Sequence, residues 1–156
     1  MWALYALLFL AVLLLQDCIL GKFRIFKASF CLIPLLACAV AVHTVPEEGG
    51  IFALIVGVVW ALSGATDGGL MIFLMTFSAV VAGYLCGNVF GNWLLPASGV
   101  CLVGYALCLL VHYSIRIYLL EMHVESFVTL LVQLLLALPF APLFVWCCQA
   151  IRKAGP

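Results

Sequence analysis

The side chains able to do chemistry are few: six acidic residues, six basic residues, three histidines and eight cysteines in 156 residues. His43, His112 and His123 fall in separate segments and share no motif. No G-x-S-x-G, H-E-x-x-H, phosphate-binding-loop or Gly-rich dinucleotide pattern occurs, so neither an activated nucleophile nor a phosphate cradle is written into the chain. Cys18, Cys31, Cys38, Cys86, Cys101, Cys108, Cys147 and Cys148 contain no C-x-x-C pair, which leaves zinc and dithiol redox chemistry unsupported. Cys31 and Cys38, like Cys101 and Cys108, are seven apart and share a helix face, as small packing hydrophobes do. The adjacent pair Cys147–Cys148 has the chemistry for acylation or oxidation, but packing is the better account. No catalytic, cofactor-binding or metal-ligating residue is expected, and no enzyme.

What remains is polar chemistry at the edge of apolar segments. Gly104, Cys108, His112 and Arg116 recur every four residues. An ionisable group central in a bilayer costs about 2.5–3.5 kcal/mol on insertion scales and faces a partner or cavity. Arg116, near a helix end, is expected to snorkel or to join an internal pair, with Asp67, Glu121 and Glu125 as candidate partners. Asp17 and Asp67 have the chemistry for a cation or ligand, though a polar group at a water interface explains both. The clearest pattern is Gly83-x-x-x-Gly87-x-x-x-Gly91, extended backwards by Ala79. Small residues at this spacing let helix backbones approach where lipid supplies no hydrophobic force, so the ridge predicts a tight helix contact, within the fold or with a partner.

The elements that carry these groups follow from composition. Hydrophobic residues make up 69% of the chain and charged residues 8%. Soluble domains are about 45–50% apolar and about 25% charged. A chain of this size still exposes roughly a third of its unfolded surface, too much to hide that excess from water. The expectation is a single transmembrane domain over residues 1–156, all-α, a compact bundle of about six helices. Net charge is zero and no basic tract exists, which excludes nucleic acid as a partner. The apolar stretch from Trp2 to Leu15 has no basic flank and no small-residue cleavage site, so it reads as a retained helix.

Along the chain, helices are expected over about Trp2–Leu20, Ala28–Val42, Gly50–Leu62, Leu70–Phe90, Gly99–Leu120 and Ser126–Ile151. The breaks are GKFRIFK, HTVPEEGG, SGATDGG, GNWLLPAS and EMHVE. Pro34, Pro139 and Pro142 are expected to kink their helices, and Trp93 and Pro96 suit an interface. The second and third helices are short. About sixteen residues at 1.5 Å each give about 24 Å, against a hydrocarbon core of roughly 30 Å. Five spans plus a re-entrant segment is therefore an alternative. Lys22, Arg24 and Lys27 in the first link, with Arg152 and Lys153 near the end, fall on one side only in the five-span arrangement, which the positive-inside bias favours.

Three stretches resemble the MreD family of bacterial rod-shape membrane proteins: EGGIFALIVGVVWALSG from Glu48 to Gly64, VVAGYLCGNVF from Val80 to Phe90, and TLLVQLLLALPFAPLFVWCCQAIRK from Thr129 to Lys153. They are similar to the family's small-residue break, its G-Y-L-x-G helix and its last helix with spaced prolines and a basic end. The family's acidic residue before the S-G break is Ala61 here, although Trp60 and Leu62-Ser63-Gly64 fit, and Asp67 follows six residues later. The acidic residue common in the family's fifth helix is absent, with His112 and Ser114 in that neighbourhood. The resemblance implies six spans in the bacterial cytoplasmic membrane with both termini cytoplasmic. It also implies a fold similar to the S components of energy-coupling-factor vitamin transporters, no cofactor, and a non-enzymatic scaffold of cell-wall elongation. The implied partners are an MreC-like protein, other peptidoglycan-synthesis proteins of the elongation machinery, and the lipid bilayer. The alternative is a substrate-binding S component itself. A scaffold predicts few buried polar groups and no pocket; a transporter component predicts polar side chains converging on a cavity.

Overall fold

A computed structural model describes residues 2–19, 31–63, 69–87, 94–120 and 125–154. Every regular element in them is helical: α1 Trp2–Leu14, running on through a π-helical turn Leu15–Ile19; α2 Ile33–His43; α3 Pro46–Leu62; α4 Gly69–Leu85; α5 Leu94–Leu120; α6 Glu125–Ala137; α7 Phe140–Ala154.

α2 is the centre. All eleven of its residues are buried, and α1, α3, α4, α5 and α7 pack around it. Its small residues, Ala37, Cys38, Ala39 and Ala41, allow five neighbours to close on one short helix. Pro34 does not kink α2; it sits in the first turn, where its missing N–H removes nothing from the ladder. Leu32 offers no capping side chain. Its backbone N–H instead donates to Gln16 Oε1 in the π-helical turn after α1, 2.9 Å away, so a buried donor is satisfied from another element. The other end of α2 is closed by Thr44, whose N–H and Oγ1 both donate to the Val40 carbonyl at 3.0 Å.

α3 starts earlier than apolarity suggests. Pro46 occupies the first turn with its φ already helical, and Glu47 and Glu48 complement the positive end of the helix dipole. Five of the eight residues of the expected HTVPEEGG loop, from Pro46 on, therefore belong to α3. α5 likewise takes in Pro96 from the expected GNWLLPAS break, again as a first-turn proline. The sixth predicted helix does bend: Leu138 and Pro139 separate α6 from α7, which meet at 42°.

Small residues set the closest backbone approaches. A Cβ added to Gly49 would lie 2.5 Å from Ala41 Cα and 2.7 Å from Ala41 Cβ, so α3 presses on the backbone of α2. A Cβ on Gly50 would meet Val80 Cγ2 at 2.6 Å, and one on Gly57 would meet Met75 and Ile72 of α4 at 3.1 and 3.2 Å. Gly49, Ala53 and Gly57, all buried, thus form a four-residue ridge on α3.

The outer helices turn large apolar side chains outward: Leu7 and Leu10 on α1, Ile51 and Ile55 on α3, Phe73 and Phe77 on α4, Leu107 on α5, Leu135 on α6 and Trp146 on α7. Among the described residues, one helix, over Leu94–Tyr118 with a mean hydropathy of 2.2, is long and apolar enough to cross a membrane, and α6 with α7 qualifies as one bent path. α1 with its π-helical extension, α2 and α4 are apolar but shorter, at 10–17 residues.

Candidate functional site

Polar chemistry gathers at the end of the bundle where α1 and α3 begin and where α2, α4 and α7 finish. A cavity of about 470 Å³ opens there, bordered by Trp2 and Tyr5 of α1, Val42 and His43 of α2, Thr44 to Pro46 of the turn, Glu48 of α3, Cys86 and Gly87 just beyond α4, and Arg152 of α7. Tyr5 is 1% exposed and His43 is 6% exposed. Tyr5 Oη and His43 Nε2 are both buried, and neither meets a hydrogen-bond partner among the described residues. A buried polar atom left this way costs about 1–3 kcal/mol, and both residues border this cavity. The Arg152 guanidinium acts electrostatically on both groups, and the Val145 carbonyl is a further polar neighbour of the imidazole. Arg152 itself is exposed and stands at the mouth. A phenol, an imidazole, a guanidinium and the Glu48 carboxylate therefore border one space. That set suits recognition of an anionic or hydroxyl-bearing group.

The aromatic residues at this end are ordered against one another. Trp2 packs edge-on to Tyr5, ring centroids 5.9 Å apart, and tilts against Phe52 of α3 at 6.3 Å; Tyr5 and Phe52 are also 6.3 Å apart. Of this trio, Trp2 and Tyr5 border the polar cavity. Beyond it an apolar groove of about 500 Å³ lies between α1 and α3, lined by Ala6, Phe9, Ile51, Phe52, Ile55, Val56 and Val59. Trp2 and Glu48 border both spaces.

The residues singled out by sequence are distributed differently. Ala79 is fully buried and Gly83 is a close contact: a Cβ there would lie 3.0 Å from the Ala41 carbonyl oxygen and 3.3 Å from Pro46 Cα. Gly87 borders the cavity, and an added Cβ would meet nothing within 4 Å. The ridge is therefore close-packed at Gly83 and open at Gly87, while Gly91 lies outside the described residues. His112 is buried near the opposite end of the bundle, its ring edge-on to Tyr113 with centroids 5.7 Å apart. Tyr113 Oη donates to Gln133 Oε1 at 3.2 Å, tying α5 to α6. Arg116, one turn beyond His112, is half-buried. Asp67, Glu121, His123 and Trp93 lie outside the described residues, as do Lys22, Arg24 and Lys27 and the side chain of Glu125. Asp17 is exposed beside Cys18. Among the described residues no group of three His, Cys, Asp or Glu is placed to hold a metal, and no disulfide forms.

Sequence reasoning passed over Tyr5, His43 and Glu48. Each is an ordinary polar residue at or near a helix end when read along the chain. Only the packing of α1 and α7 against α2 turns them toward a common space. No protein-family model, no curated protein and no solved structure matches this chain.

Proposed function

We propose that this chain is a multi-pass integral membrane protein that works without catalysis, as a scaffold of the bacterial cell-wall elongation machinery in contact with an MreC-like partner. The observation that carries the membrane part is the surface. Every outer helix turns Leu, Ile, Val, Phe or Trp outward, an apolar exterior of a kind that water-soluble monomers rarely expose. Six passes are the reading of the path. Trp2 of α1 and Arg152 of α7 border one cavity, so the chain returns to the end from which α1 starts. α2, too short to cross a bilayer alone, is enclosed by protein, where backbone need not match lipid thickness. The elongation role rests on the resemblance of Glu48–Gly64, Val80–Phe90 and Thr129–Lys153 to MreD, and it is supported by apolar outer faces suited to other membrane helices.

A second reading, a substrate-capturing S component, is favoured by one specific feature: Tyr5, His43, Glu48 and Arg152 converge on a cavity at one end of the bundle. Affinity purification of the full chain from its native host in mild detergent, followed by mass spectrometry, separates the two. Recovery of an MreC-like protein and other elongation proteins is expected. Recovery of ABC-type ATPases with a coupling membrane subunit would refute the scaffold role in favour of substrate capture.

A further inference from the structure

We infer that the polar cavity and the adjoining groove are one site, and that it takes a single phosphate-headed membrane lipid, with the phosphate in the cavity and an acyl chain in the groove between α1 and α3. The inference rests on the membrane part of the reading above and is independent of the elongation role.

Three observations lead to it. The two spaces are neighbours: Trp2 and Glu48 border both, Tyr5 borders the cavity, and Phe52, in ring contact with Trp2 and Tyr5, borders the groove. Each has a volume of the order of a small-molecule site, about 300–1,000 Å³. They differ sharply in chemistry: the groove is walled by Phe9, Ile51, Phe52, Ile55 and Val59, whereas the cavity is bordered by the Tyr5, His43 and Arg152 side chains. A ligand filling both must be amphiphilic.

The headgroup follows from the donors. Tyr5 Oη donates one hydrogen bond, His43 Nε2 donates in one tautomer or when protonated, and the Arg152 fork matches phosphate oxygens two at a time. Two of these atoms are buried without a hydrogen-bond partner among the described residues, a condition that an acceptor reaching them would relieve. Glu48 repels an anion on its side, so the phosphate belongs on the Tyr5–His43–Arg152 side of the cavity. The tail follows from the groove. α1 and α3 do not pack tightly on one another, and the apolar walls left between them are the solvent an acyl chain prefers. Trp2, at the junction, sits where tryptophan is favoured in membranes, between hydrocarbon and headgroup.

The test uses the full chain, delipidated in detergent and examined by native mass spectrometry with three probes. Dioleoyl phosphatidic acid carries both parts, dioleoylglycerol only the chains, and glycerol 3-phosphate only the head. One phosphatidic acid per chain is expected, retained about tenfold better than dioleoylglycerol, the ratio expected for charge-assisted hydrogen bonds to one phosphate. Glycerol 3-phosphate should not be retained. Arg152→Gln and Ile55→Trp, both at exposed positions, should each lower phosphatidic acid retention by about tenfold, whereas Leu107→Trp on α5 should not. Equal retention of dioleoylglycerol, equal binding of glycerol 3-phosphate, or indifference to both variants would overturn the lipid site. Alkaline carbonate extraction of the host membranes keeps the two readings apart. Release of the chain would overturn the membrane reading and the lipid assignment with it. A chain that stays in the pellet but fails the probe comparison overturns the lipid site alone.

Discussion

Replacing Gly49 with alanine adds a single methyl group at the tightest helix contact in the bundle. That methyl carbon would stand 2.5 Å from Ala41 Cα, 2.7 Å from Ala41 Cβ and 3.0 Å from Thr44 Oγ1. Carbon atoms rest about 3.5–4.0 Å apart, so α3 must withdraw by roughly 1 Å or more from α2. The obstacle is backbone and cannot rotate away, and α2 is held on its other sides by α1, α4, α5 and α7. Overpacking of this kind costs about 1–3 kcal/mol, and the rigid neighbour puts Gly49→Ala at about 3 kcal/mol. For a chain of this size that corresponds to a loss of about 10 °C in thermal midpoint. Intrinsic tryptophan fluorescence of the detergent-solubilised chain during heating reports it. Two companion variants make the comparison internal. Gly50→Ala meets only Val80 Cγ2 at 2.6 Å, a side-chain methyl able to shift, and should lose less. Gly87→Ala meets nothing within 4 Å and should stay within about 0.5 kcal/mol of the parent. A Gly49→Ala protein that melts with the parent, or a Gly87→Ala protein that melts below it, would refute the helix contact as described.

Two further outcomes are expected. Gln16→Leu removes the acceptor 2.9 Å from the buried Leu32 N–H, which should destabilise the chain by about 1–3 kcal/mol and speed hydrogen exchange at the start of α2; unchanged exchange there would mean the amide has another partner. In the folded chain, Cys18 is exposed whereas Cys38, Cys101, Cys108 and Cys148 are buried, so a maleimide should label Cys18 well before those four. Labelling of the four at the rate of Cys18 would contradict the core around α2.

Much of the architecture is legible along the chain. An apolar share of 69% and breaks rich in Gly, Pro and Ser are enough to dictate an all-helical protein, and the bend at Pro139 follows from a proline with no helical donor. Element starts were less legible. Pro34, Pro46 and Pro96 read as breakers or loop residues, but a proline within the first turn is compatible with a helix, and which role it takes depends on what precedes it. The close-contact ridge shows the same division. Gly49, Ala53 and Gly57 have the same four-residue spacing as Gly83, Gly87 and Gly91, and spacing alone does not say which face meets a neighbour. The fold presses Gly49 and Gly83 against α2 and leaves Gly87 open to the cavity.

The sequence by itself determines helix content and an apolar exterior, because both depend on residue types averaged over whole segments. Only the tertiary structure decides that the shortest helix is the centre, and that Tyr5, His43, Glu48 and Arg152 share one space. His43 and Glu48 flank one short turn, but Tyr5 and Arg152 come from the two ends of the chain, and what brings them to that turn is the packing of α1 and α7 around α2, a non-local arrangement that no local pattern encodes.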